Sequence, residues 1–161
     1  MAGKQQPGRT VKSFEELVND CLDEVEELFP WDLEERLDSK DDMYLLDVRE
    51  PDEFAAMHIK GSVNVPRGIL ETAVEWGFDE TVPELVEARD KDVIVICRSG
   101  NRSALAALVM KQMGYKNPIS LKTGLRGWAD YELPLTNGEG GDVENDVFLQ
   151  SPLGDASAEA V

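Results

Sequence analysis

"DVIVICRSGNRSALAALVMKQMG", residues 92–114, runs from an apolar segment through a polar loop into a helix without a spacer. DVIVI, at 92–96, has the length of a strand and no polar alternation, as expected of a strand covered on both faces. SALAALVMKQMG, at 103–114, has helical composition and is closed by Gly114. Between them CRSGNRS, at 97–103, sets one cysteine among two arginines, two serines, an asparagine and a glycine. A thiol in an ordinary core needs no such company, so the loop reads as a pocket for sulfur or for an anion.

Working outward, the same alternation recurs. MYLLDV, at 43–48, is a second strand, and it ends on the polar REPDEF, where Pro51 opens a helix running to about Met57. VNVP supplies a short strand, helical stretches follow at 68–76 and 83–89, and NPISLKTG adds a further strand before a last turn of helix over Trp128. The pattern predicts a doubly wound α/β fold, with a mainly parallel five-stranded sheet and helices on both faces. In such sheets ligands bind at the carboxyl ends of the strands, where both Asp47 and Cys97 fall.

The flanks differ from this middle. Residues 1–12 lack apolar periodicity and are expected to be disordered. Ser13 to Glu16 matches a capping box, and Phe14, Leu17, Val18, Cys21, Leu22, Val25 and Leu28 follow at helical spacing, predicting an amphipathic helix within 13–30. It either covers an edge of the domain or pairs with a second copy of the chain. FPWDLEERLDSKDD reads as a turn and short helix with Asp32 as N-cap, opening a domain over 31–136. Residues 137–161 carry six acids and no bases, and form an acidic tail expected to be mobile, with DVFLQ as its apolar patch.

Composition narrows the function. With 33 acidic and 16 basic side chains in 161 residues, the formal charge of −17 argues against non-specific binding to nucleic acid or anionic lipid. No apolar run approaches the roughly 18–20 residues needed to span a bilayer, so no membrane role is expected. Two distant cysteines, a single His58 and no leader-like segment predict a cytoplasmic protein with neither disulfide scaffold nor metal site. No phosphate-cradling glycine motif supports a nucleotide, and no cofactor is expected.

Chemistry at Cys97 requires the thiolate, which is the reactive form of cysteine. Arg98 and Arg102 bring positive charge, Gly100 permits a turn that aims backbone amides inward, and Ser99, Asn101 and Ser103 add donors at the start of a helix. Cys21 lies instead on an amphipathic stripe among acids and reads as core or interface. Four residues separate Cys97 from Arg102. Tyrosine-phosphatase-like enzymes have a similar arrangement with five, a loop that encircles a tetrahedral phosphate; the shorter loop suits a smaller guest, such as a terminal sulfur on Cys97.

LLDVREPDEF at 45–54, HIKGSVNVP at 58–66, CRSGNRS at 97–103, GY at 114–115 and GLRGW at 124–128 occur in an order that resembles the single-domain rhodaneses, or thiosulfate sulfurtransferases. The resemblance runs from about Trp31 to Leu135. It implies a two-step transfer in which Cys97 takes a sulfane sulfur from thiosulfate or a related donor, becomes a persulfide, and passes the sulfur to a small thiol, cyanide or a sulfur-carrier protein. It also places Asp47 and Arg49 beside the loop as supporting residues, and gives His58 a structural hydrogen bond. A carrier that delivers its sulfur only within a complex with a partner protein would show the same loop.

Overall fold

Five parallel strands form the sheet in the order β1 (Glu26–Leu28), β5 (Asn117–Leu121), β4 (Asp92–Ile96), β2 (Met43–Asp47) and β3 (Val63–Asn64). The coordinates are a computed structural model, which describes residues 11–145. Successive residues of the central strands face opposite cores. Leu46, Val93, Val95 and Cys97 pack on one side with Ala106, Ala107 and Met110 of α6 (Asn101–Gln112). Leu45, Ile94, Ile96, Ile119 and Leu121 pack on the other with Leu33 of α2 (Pro30–Asp38) and Leu125 and Trp128 of α7 (Gly124–Asp130). Burial on both faces is the physical reason these strands read as unbroken apolar runs.

The chain crosses from β2 outward to β3, returns to β4 on the other side of β2, and continues away to β5. The connections after β2 and β4 therefore diverge, which opens a crevice between their carboxyl ends. Asp47 ends β2 and Cys97 follows β4 at that point, where Val48 N–H donates to Ile96 O at 2.9 Å. The doubly wound parallel sheet expected from the sequence is the observed fold.

Several boundaries need correction. The amphipathic helix of 13–30 ends early: α1 is Phe14–Leu22, with the Ser13–Glu16 capping box in place, and Glu26–Leu28 turns into the edge strand β1. Val18 and Cys21 face Ala104 of α6, while Val25, next in the same spacing, is buried in the core between the sheet and α6. Phe14 and Leu17 stay exposed. The N-cap of α2 is Phe29, with Pro30 opening the helix, and Asp32 falls inside its first turn.

The helix expected at 68–76 is a 3₁₀ turn, Arg67–Ile69, and one turn of α4, Leu70–Ala73; that of 83–89 shortens to α5, Pro83–Val86. α3 spans Pro51–Ala56. The first residues of the acidic tail take part in regular structure. β6 (Leu135–Thr136) pairs antiparallel with β7 (Asp142–Val143), and Asn145 Nδ2 donates to Leu133 O at 2.6 Å. At the other end Lys12 forms an ion pair with Asp20. The remaining expectations of disorder, over 1–10 and over 146–161 with DVFLQ, lie outside the described residues. Among the described residues no helix is long and apolar enough to cross a membrane.

Candidate active site

Cys97 leaves β4 and is 1% exposed. The chain must turn sharply to enter α6, and Gly100 makes that turn at φ +93°, a conformation that side chains disfavour. Its amide donates to Cys97 Sγ at 3.1 Å. Because Gly100 is also the N-cap of a 12-residue helix, the sulfur faces the positive end of α6. Ser103, one turn along, is fully buried, and its hydroxyl oxygen accepts from Cys97 Sγ at 3.2 Å.

α7 braces the loop from the far side. Leu125 N–H donates to Cys97 O at 2.8 Å and Arg126 N–H to Arg98 O at 2.9 Å. The approach leaves no room at Gly124, where a Cβ would lie 2.5 Å from the Arg98 carbonyl carbon and oxygen. Arg98 itself is 3% exposed. Ser99 and Asn101 are half-buried, and Asn101 borders a groove of about 410 Å³ whose walls include Phe14, Val18, Asn19 and Leu22 of α1.

Arg102 is less free than its spacing implies. Its two terminal nitrogens donate to both carboxylate oxygens of Glu53 at 3.0 Å each, a forked geometry that fixes the guanidinium plane. Burial opposes charge on both partners. For Glu53 it is outweighed by Arg102, by the Glu50 amide and by Arg49, which together hold the carboxyl below its ordinary range. For Arg102 it is outweighed chiefly by Glu53, with Asp47 adding to the effect.

Asp47 and Arg49 form a separate, fully enclosed pair. Arg49 Nε and Nη2 donate to the Asp47 carboxylate at 2.9–3.1 Å, the Arg49 amide donates to Asp47 Oδ1 at 3.0 Å, and Nη2 reaches Met57 O at 2.7 Å. Removing one partner of such a pair strands a buried charge, at a cost of about 3–5 kcal/mol. Asn64 Nδ2 donates to the carbonyls of Asp47 and Arg49 at 3.0 and 2.9 Å, clamping the turn after β2 beside the loop. His58 is structural: Nδ1 donates to Phe54 O at 2.7 Å and the ring stacks on Phe54 with centroids 3.7 Å apart. Cys21 is buried against α6, and burial, with Asp20 and Glu24, pushes its thiol up.

The structure thus gathers Cys97, Gly100 and Ser103 around one sulfur, holds Arg102 on Glu53, and pairs Asp47 with Arg49 in the buried turn after β2. Sequence reasoning missed Glu53 and Ser120. Glu53 sits inside the quoted REPDEF, and a carboxylate in the first turn of a helix at a strand end was the available signal. Ser120 Oγ, 2.7 Å from Ser103 Oγ, had as its signal a hydroxyl between the apolar Ile119 and Leu121 of a strand.

A thiol under a helix N-terminus, at the topological switch point of a parallel sheet, is an arrangement that favours an anionic sulfur. Residues 30–131 match the model of the rhodanese-like domain, and the chain belongs to that family, whose general chemistry is sulfur transfer. Among relatives, a sulfurtransferase of Allochromatium vinosum (strain ATCC 17899) is 31% identical over 116 residues, 72% of this chain and 99% of that one. YrkF, a proposed sulfur carrier of Bacillus subtilis (strain 168), is 36% identical over 94 residues; the match spans 58% of this chain but only 45% of YrkF.

Two solved structures extend the comparison, each 27% identical. RPA3614 of Rhodopseudomonas palustris CGA009, a protein of unknown function suggested as a tyrosine phosphatase, superposes with a TM-score of 0.71 over 81% of this chain and 98% of its own. The thiosulfate sulfurtransferase of Pseudomonas aeruginosa does so with a TM-score of 0.63 over 80% of this chain and 23% of its own.

Proposed function

We propose that the protein is a thiosulfate sulfurtransferase acting through a persulfide on Cys97. The observation that carries this reading is the setting of one buried sulfur at the positive end of α6, where the Gly100 amide donates to it at 3.1 Å and the Ser103 hydroxyl, which accepts from the thiol at 3.2 Å, can turn to donate to a thiolate. The Cys97 thiolate attacks the outer sulfur of thiosulfate. The sulfur–sulfur bond of the donor breaks, sulfite leaves with the electron pair, and the outer sulfur stays on Cys97 as an anionic persulfide. A thiolate or cyanide then attacks that terminal sulfur, the bond to Sγ breaks, and the Cys97 thiolate returns. The loop amides and the helix end stabilise the anion in both states. No cofactor takes part, and Asp47 and Arg49 support the loop without reacting.

A second reading, a persulfide carrier that discharges only to a partner protein, is favoured by one feature. Phe29 and Trp31 follow the carboxyl end of β1 and stack at 4.5 Å, with Tyr131 packed on Trp31 and Lys122, just past β5, lying 4.9 Å from the Phe29 ring. These rings are exposed, and Phe29 and Lys122 follow the carboxyl ends of β1 and β5 as Cys97 follows that of β4.

Steady-state turnover of thiosulfate with cyanide separates the two: sustained turnover lost in Cys97→Ser supports the enzyme, whereas a stable persulfide with negligible turnover supports the carrier. Hydrolysis of an aryl phosphate that disappears in Cys97→Ser would instead make the protein a phosphatase.

A further inference from the structure

Ser120 stands next to the carboxyl end of β5, fully buried, and belongs to none of the motifs that mark the site. Its hydroxyl closes a ring. Cys97 Sγ donates to Ser103 Oγ at 3.2 Å, Ser103 Oγ lies 2.7 Å from Ser120 Oγ, and Ser120 Oγ donates to Gly100 O at 3.5 Å. The Gly100 amide returns to Cys97 Sγ at 3.1 Å. With the thiol protonated, the three side-chain protons all point one way around this ring, and the final contact, at 3.5 Å, is at the limit of a hydrogen bond.

We propose that Ser120 is a positioning residue that favours ionisation of Cys97 by reversing the direction of this hydroxyl chain. When the thiol proton passes to solvent, Ser103 O–H turns to donate to the sulfur and Ser120 O–H turns to donate to Ser103. Only the weak contact to Gly100 is given up. The thiolate then holds two donors, Gly100 N–H and a Ser103 hydroxyl polarised by the donor behind it. With Ser120 absent, Ser103 still turns, but its oxygen is left in a buried site without the hydroxyl that donates to it, and its bond to sulfur weakens.

The inference rests on Cys97 being the reacting thiol, yet its test reads the thiolate and not sulfur transfer, so the two readings fail separately. The experiment is the pH profile of iodoacetamide alkylation of Cys97, followed by peptide mass, in wild type, Ser120→Ala, Ser120→Thr, Ser103→Ala and the Ser103→Ala/Ser120→Ala double variant. Ser120→Ala is expected to move the midpoint up, slowing alkylation below it about three- to tenfold. Ser120→Thr, which keeps the hydroxyl, restores the wild-type midpoint, and in the Ser103→Ala background loss of Ser120 adds nothing. A wild-type midpoint in Ser120→Ala, an alanine-like midpoint in Ser120→Thr, or an equal further shift in the Ser103→Ala background would each overturn the proposal.

Discussion

Glu53 and Arg102 are 49 residues apart, yet their forked contact decides where the last arginine of the loop points. The Glu53 carboxyl is held below its ordinary range in the folded chain, so ionised Glu53 stabilises the fold above the usual carboxylate pKa, and that contribution is lost as pH falls through the lower folded value. Urea unfolding of wild type should therefore weaken from about pH 4.5 downward, while Glu53→Gln, less stable at pH 7, loses less over the same interval. Equal acid sensitivity of the two proteins would show that the pair is not coupled to folding. At this scale the sequence exposes Cys97, Gly100 and Ser103, because their contacts are local. It hides Glu53 and Ser120, whose partners are brought close only by the crossover of strands.

The βα junctions show the same division. β4 and α6 are legible because burial on both faces leaves an apolar run and a glycine marks the turn. β1 is not: Val25 and Leu28 continue the helical spacing of α1, and only pairing with β5 makes a strand of Glu26–Leu28. A local sign was present, since Asp23 and Glu24 sit at the negative end of a helix whose last turn carries no base. The hairpin of β6 and β7 was hidden by its acidic, glycine-rich composition. At the junction of β5 and α7, Gly124 has φ +62° and a Cβ would meet the Cys97 and Arg98 carbonyls. Gly124→Ala is expected to lower stability by more than about 2 kcal/mol in urea unfolding, with loss of persulfide formation. Gly68→Ala, whose Cβ meets nothing within 4 Å, should stay within about 0.5 kcal/mol. Comparable stability of the two variants would mean that α7 does not brace the loop.

The whole molecule carries a formal charge of −17, so a dianionic donor is repelled at long range and held only by the local field of the loop. Screening should then help: kcat/KM for thiosulfate is expected to rise about two- to fivefold between roughly 20 and 200 mM inert salt. A steady fall would mean that local attraction dominates the encounter. The most direct test of the central claim is intact mass after incubation with thiosulfate, for wild type, Cys97→Ser and Cys21→Ser. Wild type and Cys21→Ser are expected to gain the mass of one sulfur atom and Cys97→Ser none; a sulfur gained by Cys97→Ser and not by Cys21→Ser would contradict the account.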